Sequence, residues 1–488
     1  MATLSSALNY ALAGLSASAA QSSVVSRNVS LAGGENYSRK TAEIVSLPGT
    51  GPVVSQITRS SDRLLLEKLL SSASAAAERQ TTLDALNSVS GLTGDPQDGH
   101  SIAAQLSKLQ DALRSFEQNP ASGPLARSAL EAARALAETI NAASLEVSAI
   151  RSDADKGMKD SSERIVNLLA QFKIMNDSIV RGQGTAGDLT EVLDRRDSIL
   201  KLLSEEVGIR TTTRSNNDML IYAEGGAVLF EGSPRSVTFE SSGYLPPGST
   251  GNALFIDGVP VLGPNVTMPV SGGRITAYAS VRDDLAPLLS QQLDQIAAGL
   301  IHAFSESDPQ IPAILPMVEG LFQGDGSLPV LADQNAGLAV RLHINSLADP
   351  DHGGSAFLIR DGGFGGAGYI RNTAAQTGFQ VRIAELGDAL DSRLEFGNWG
   401  DLGGSASLKE LGAQSASWIA QRRKDAQSSL DIAVTVKARA SNSLSQITGV
   451  NIDQEMAILL DLERSYQASS KVLSIVNSMF GTLLEVVD

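Results

Sequence analysis

The chain has 488 residues, a length that suggests roughly three domains, and its 42% hydrophobic content is ample for packed cores. A net charge of −16 repels phosphate backbones, so no nucleic-acid partner is expected. There is no cysteine, which removes disulfides, thiolate metal sites and cysteine nucleophiles, and only 4% of residues are aromatic, so the cores must come from Ala, Leu, Val and Ile in close-packed helices.

Leu4, Leu8, Ala11, Leu15, Ser18, Ser22, Val25 and Val29 recur at spacings of four and three. They predict a first helix from about Leu4 to Leu31, ended by Gly33-Gly34. Ala17-Ser18-Ala19 resembles a signal-peptidase site, but no Lys or Arg precedes Arg27 and Asn9 and Gly14 interrupt the apolar run, so a cleaved signal is not expected. No apolar run approaches a membrane span, and no membrane insertion is expected. Tyr37 to Thr58 is β-branched and punctuated by Pro and Gly, which predicts extended chain. A helix carrying Leu64, Leu65, Leu69, Leu83 and Leu86 starts near Asp62, a candidate cap, and Gly91 to Gly99 reads as a loop. Further helices are predicted over about Ser101–Gln118, from Gly123-Pro124 to about Val180, and over Asp188–Val207.

The pattern changes at Gly208. Short strands are predicted at Met219–Tyr222, Ala227–Phe230, Ser236–Phe239, Ala253–Ile256, Val259–Leu262 and Ile275–Ala279, with Asp257-Gly258 as a tight hairpin turn. Helix returns over about Asp283–Phe304. A mixed, glycine-rich stretch follows, and a helix from near Ser405 runs past Ala440 to an interruption at Thr448-Gly449. The last helix carries a seven-residue repeat: Ile452, Leu459, Tyr466, Leu473, Phe480 and Val487, reinforced by Leu462, Val476 and Leu483. A lone helix cannot bury such a seam, and the first helix offers a partner. The expected fold class is multidomain α+β. Residues 1–35 and 449–488 form a terminal helical coiled coil. Residues 36–207 and 283–448 form a helical bundle with a mixed segment at 306–404. Residues 208–282 form an inserted β-rich outer domain.

Chemistry-bearing motifs are weak. Gly363, Gly365 and Gly368 spell G-x-G-x-x-G, but in a glycine-dense stretch without convincing strand–helix alternation, so a surface loop is expected rather than a dinucleotide site. Asp349, Asp351 and Gly353 lack the remaining ligands of a calcium loop. His100, His302, His343 and His352 show no metal spacing, and no P-loop or nucleophile elbow is present. Asp283-Asp284 reads as a helix start. No catalytic residue, metal or cofactor is assigned.

Four segments resemble the flagellar hook-associated protein 1 family, the hook–filament junction proteins of bacteria. Leu12-Ala13-Gly14-Leu15-Ser16-Ala17 followed by Ser26-Arg27-Asn28-Val29 is similar to the opening of axial flagellar proteins, where Ser-Asn-Asn-Ile is usual. Tyr37-Ser38-Arg39-Lys40 resembles Gly-Tyr-Ser-Arg-Gln, with Asn36 in place of Gly. Leu193-Asp194-Arg195-Arg196-Asp197 resembles Leu-Asp-Gln-Arg-Asp. Gly449 to Glu455, Tyr466 to Ser470 and Phe480 to Leu484 resemble the family's last helix, and Leu293–Phe304 adds support. The resemblance does not reach 310–400. It implies a non-enzymatic structural subunit of the bacterial flagellum, needed for filament assembly and located outside the cell at the hook–filament junction. It implies as partners further copies of itself in a ring, the hook protein, the third hook-associated protein on the filament side, a cytosolic chaperone on the last helix, and the flagellar type III export apparatus. Leu4, Leu8, Ala11, Leu15, Val25, Val29, Tyr37, Arg39, Ile452, Leu459, Tyr466, Leu473, Phe480, Leu483 and Val487 are the expected assembly interface. Another axial component, a hook or distal-rod protein, is the alternative. An enzyme using the glycine-rich segment and an adhesin on a coiled-coil stalk are the readings from other classes.

Overall fold

The computed structural model describes residues 2–34, 36–48, 50–93, 101–182, 188–310 and 313–487. Helix α1 (Ala2–Ser30) leads through Gly33, at φ +84°, into an antiparallel hairpin of β1 (Lys40–Leu47) and β2 (Gly51–Arg59), where extended chain was expected. Helix α2 (Arg63–Thr93) starts where Asp62 accepts the Leu65 amide, the cap read from the sequence. The structure extends α2 through Gly91, and 94–100, including His100, lie outside the described residues. Helix α3 (Ile102–Gln118) is capped by Ser101, and α4 (Gly123–Gly182) is one unbroken 60-residue helix, about 90 Å long at the standard rise. Helix α5 (Thr190–Glu206) packs against α4.

The β-rich segment forms two small antiparallel sheets. One has the order β3 (Ile209–Thr213), β4 (Met219–Ala223), β5 (Val228–Glu231), β6 (Ser233–Pro234). The other has the order β7 (Val237–Thr238), β8 (Leu254–Ile256), β9 (Val259–Leu262). Asp257 and Gly258 both take positive φ, +48° and +77°, as a two-residue hairpin turn between β8 and β9 requires.

One strand reading is overturned. Ile275–Ala279 lies in helix α6 (Gly273–Ser280), so helix resumes well before Asp283. Ile275, Ala277 and Ala279 are all buried, because the helix is hemmed in by α2, α4 and α5. Burial on several sides produces an alternating apolar pattern that imitates a strand. A single π-helical turn, Val281–Leu285, joins α6 to α7 (Ala286–Ala303).

The glycine-rich stretch is short turns, the two-stranded pairs β10 (Phe322–Gln323) with β11 (His343–Ile344) and β12 (Leu394–Glu395) with β13 (Ser405–Ala406), and helices α8 (Leu338–Arg341), α9 (Leu358–Asp361) and α10 (Val381–Ala389). Helix α11 (Leu408–Thr448) opens with a capping box of Ser407 and Glu410 and runs along α2, and α12 (Ile452–Val487) completes the described chain.

Among the described residues the buried apolar side chains form two cores, and α4 enters both. Its first half packs Ala126, Ala129, Leu130, Ala133 and Leu136 with α3, α7, the start of α11 and buried residues of the glycine-rich stretch, such as Phe322, Ile359 and Leu390. Its second half packs Ile165, Leu169 and Phe172 with α5, α6 and both sheets. The few aromatics sit at contact points: Phe304–Phe322 and Phe172–Phe230 are edge-on, each pair at 4.9 Å.

At the π-helical turn, Arg282 reaches from the helices into the β-rich segment. Its side chain and that of Asp155 on α4 are fully buried, with Arg282 Nη1 donating to Asp155 at 2.8 Å and Nη2 donating to the Asn252 carbonyl at 2.9 Å. Asp155 also accepts from Ser241 Oγ and the Ser242 amide. Arg282 also donates to Asp283 through Nε and Nη2, so Asp155→Ala leaves the guanidinium paired but takes a buried acceptor from Arg282 Nη1, Ser241 and Ser242. It is expected to cost about 2–3 kcal/mol in urea denaturation, above a surface Asp→Ala control.

Asp294 on α7 accepts the Gly337 and Ala339 amides, but burial outweighs them and pushes its carboxyl up to about 6. The folded state therefore holds this proton more tightly than the unfolded chain, and ionisation weakens the fold as pH rises from about 4 to about 6. Between pH 4 and pH 7, wild type should lose about 2.5 kcal/mol relative to Asp294→Asn, measured as the difference between their urea unfolding free energies at each pH.

Candidate assembly interface

Helices α1 and α12 pack antiparallel in strict register. Asn28 bonds Glu455, Ser18 bonds Ser465, and a Cβ placed on Gly14 would lie 3.0 Å from Ser469 Oγ, so each step back along α1 is one step forward along α12. Small residues at this seam let the backbones approach closely. Of the residues predicted for the interface, Ala11 and Val25 are buried, while Leu4, Leu8, Leu15, Val29, Leu459, Leu473 and Phe480 are half-buried. The side chains of Leu483 and Val487 lie outside the described residues. Ile452 and Tyr466, the first and third members of the predicted seam, face away from α1, at 51% and 49% exposure. The stripe that faces α1 is Glu455, Leu462, Ser469 and Val476, because Asn28 and Gly14 stand opposite it; Leu462 and Val476 are the residues read as reinforcing the seam.

The seam leaves apolar surface on both its flanks. Ile452, Met456 and Leu460 lie on one side and Val472, Ile475 and Met479 on the other, each roughly half exposed. Flanking apolar stripes on a two-helix element call for further helices beside it.

At its base the helix pair is tied down by polar side chains. Asn28 is fully buried and uses all of its hydrogen-bonding capacity. Its Oδ1 accepts Tyr37 Oη at 2.8 Å and the Lys40 amide at 3.0 Å, while its Nδ2 donates to the Lys40 carbonyl and to Glu455 Oε2, both at 2.8 Å. Glu455, also fully buried, accepts Arg39 Nε at 2.6 Å, and the Arg39 amide donates to the Thr448 carbonyl at 2.7 Å. Asn451 caps α12 by accepting the Gln454 amide.

The same segment is fastened to the body. The Lys40 side chain is completely buried, its Nζ 3.6 Å from Asp194 and 4.6 Å from the centre of the Tyr37 ring. Arg59 bridges Asp194 at 2.9 Å and Asp197 at 2.7 Å, and Arg27 pairs with Asp188 at 2.9 Å. Burial, opposed by Arg27 and aided by the carboxylates of Asp194, Asp188 and Glu455, pushes the Tyr37 hydroxyl up to about 12, so it stays a donor. Burial also raises Asp188, but hydrogen bonds from Thr190 and Arg27 prevail and hold it below the usual Asp range.

Tyr37 and Arg39, expected at the assembly surface, thus act within the chain. The four segments singled out in the sequence, at 26–29, 37–40, 193–197 and 449–455, meet at this one anchor. The roles of Asn28, Lys40, Arg59, Asp194 and Glu455 were not foreseen. For Asn28 and Glu455 the available signal was a polar residue standing beside apolar helix positions; Lys40 and Arg59, at strand ends, carried none.

The other motifs resolve as structure. The Gly363 and Gly365 amides donate to the buried Glu306 carboxylate at 2.9 and 2.8 Å, and Arg382 pairs with it at 3.0 Å. The loop's anion nest is therefore filled by the chain's own side chain. Asp349 accepts the Asp351 amide and pairs with Arg134 and His352, as a loop turn would. Among the described residues no helix is long and apolar enough to cross a membrane.

The anchor's charges are unequal in consequence. Asp194 serves both Lys40 and Arg59; Asp194→Ala leaves Arg59 paired with Asp197 but strands the buried Lys40 ammonium, and should lower stability by about 3–5 kcal/mol. Lys40→Met leaves Asp194 paired with Arg59 and should be near neutral. Melting curves of the two variants check this asymmetry.

A model of the helical domain of flagellar hook-associated protein FlgK matches residues 67–310, and a model of the C-terminal region of flagellar basal body rod FlgEFG proteins matches residues 444–486. The chain is 22% identical to flagellar hook-associated protein 1 of Escherichia coli (strain K12), in an alignment covering 99% of this chain and all of that protein. It is 24% identical to flagellar hook-associated protein 1 of Salmonella typhimurium, over 47% of this chain and 43% of the relative. The flagellar hook junction protein FlgK from Burkholderia pseudomallei aligns with a TM-score of 0.41 at 17% identity, over 53% of this chain and 46% of that one. The helical-domain model alone spans half of the 488 residues, and the chain belongs to the flagellar hook-associated protein FlgK family.

Proposed function

We propose that this protein is a structural subunit of the hook–filament junction of the bacterial flagellum, with its paired termini packed against the termini of neighbouring subunits. Family membership supports the junction role. The observation that carries the packing mode is the half-exposed apolar stripe on each flank of the α1–α12 pair. A helix pair bare on two sides suits a tube wall in which every subunit has neighbours on both sides. The two cores draw no residue from either terminal helix, so the body can fold before its termini are engaged.

On this reading the partners are further copies of the chain in a ring, the hook protein on one side and the third hook-associated protein on the other. Export runs through the flagellar type III apparatus to the outside of the cell. A cytosolic chaperone covers α12 beforehand, since exposed Ile452, Met456, Leu460, Val472, Ile475 and Met479 would otherwise invite aggregation. The match of residues 444–486 to rod-type proteins favours, as a second reading, another axial position in the hook or distal rod.

A deletion strain separates these readings by electron microscopy of its flagella together with assay of flagellin in the medium. The junction role predicts complete hooks without filaments and flagellin spilled into the medium. Missing hooks move the protein to the hook or rod, and intact filaments remove it from the axis. Deleting residues 1–30 and 452–488 is expected to leave a folded monomer that restores no filaments.

A further inference from the structure

We infer that the helical body carries a head-to-tail contact between copies of this chain, in which the outer flank of α11 in one copy packs on the outer face of α4 in the next. The helices of the body are stacked. Helix α11 lies on α2, α2 lies on α5 and α6, and these lie on α4, so α11 and α4 close opposite sides. A series of ion pairs crosses the stack. Lys437 on α11 pairs with Glu205 at 3.0 Å, Arg274 bridges Glu205 and Glu206 at 3.0 and 2.6 Å, and Arg164 on α4 pairs with Glu206 at 3.0 Å. This link sets Lys437 and Arg164 at one level. Nearer the start of α11, Ile419 lines the same small cavity as Ala143 and Val147, so the two helices run in the same direction.

Both outer surfaces are apolar and uncovered at that level. On α11, Ile432, Val436 and Ile447 share one flank, and Ile432 is 67% exposed. Ile432 and Val436 are β-branched, a poor choice for a solvated helix position, and a neighbour packed against them gives that choice a reason. On α4, Val166, Ala170 and Ile174 face away from the core built on Ile165, Leu169 and Phe172, and Ile174 is 59% exposed. The two patches keep the same spacing from the link: Ile447 lies ten positions beyond Lys437, and Ile174 ten beyond Arg164. Their charges are complementary. Among the described residues, Arg439 on the α11 flank has no ion pair, and Glu163 on the α4 face pairs loosely with Lys159 at 3.9 Å. Two different faces, on opposite sides and at one level, make a contact that repeats around a ring rather than a two-fold dimer. A few side chains on each face fall short of the roughly 1,000 Å² that a stable complex needs. The contact therefore holds where copies are already tethered by their termini, and this step rests on the junction reading.

The chain has no cysteine, so introduced ones report without background. Val436→Cys/Val166→Cys, produced in the deletion strain and treated with a short bismaleimide on isolated flagella, is expected to give a ladder of dimers, trimers and larger multimers. Its yield should be about tenfold or more above that of the dilute full-length monomer. Ile447→Cys/Ile174→Cys should give the same ladder from the other end of the patches. Any one of these cysteines alone should give no multimers, because like faces do not meet. In the Val436→Cys/Val166→Cys chain, Arg439→Glu should lower the ladder about fivefold, and adding Glu163→Lys should restore it. No ladder from either cysteine pair, dimers alone, crosslinking through a single cysteine, an equal ladder in dilute monomer, or a charge exchange without rescue would each overturn the contact. Failure of the junction reading would appear separately, as intact filaments in the deletion strain.

Discussion

The terminal half of this molecule depends on one buried amide. Asn28 sits in a helix seam where an apolar residue would ordinarily stand, and it is tolerated because every one of its polar atoms is bonded. Its partners come from the hairpin strand and from a helix more than 400 residues away in the chain. An apolar seam alone would let the helices slide by a turn. A bonded Asn facing a buried Glu permits one register, and that register places Gly14 against Ser469. The close approach of the small residues follows from the anchor, and so does the exposure of the two flanking stripes.

The body is organised by a different constraint, the length of α4. One helix of 60 residues serves two cores, so the β-rich segment and the glycine-rich segment sit on a common spine. Alanines along its first half allow neighbours to lie close despite the scarcity of aromatic residues. Where the spine passes the π-helical turn, its Asp155 takes Arg282, and the β-rich segment is pinned through Ser241, Ser242 and Asn252. Buried charge appears where parts of the fold meet, here and at Lys40–Asp194, and in both the geometry is completed by backbone groups or a second cation.

What could be read in advance was whatever is encoded locally. The long helices announced themselves by apolar spacing, the Asp257-Gly258 turn by its need for two positive φ angles, and the start of α2 by Asp62. The Ile275–Ala279 helix was misread because burial on several sides erases the helical period. The anchor was missed because its members are spread over 428 positions, from Asn28 to Glu455, and a polar residue in a helix seam does not name its partners. The glycine loop was legible as a loop, but the contact that fills it, Glu306 accepting its amides, spans 57 residues.

The sequence by itself determined the periodic elements, the pairing of a first and a last helix, and, through resemblance at both termini, membership in a flagellar family. Those rest on patterns that repeat within a few turns or match short motifs. Only the tertiary structure decided which stripe of α12 faces α1, that Tyr37 and Arg39 bond inward, and that four separate motifs form one anchor. The stripe that faces α1 carries Glu455 and Ser469 and is the less apolar of two neighbouring stripes, so hydrophobic burial alone would not select it. The choice falls to buried hydrogen bonds between distant residues, which exist only once the chain has folded.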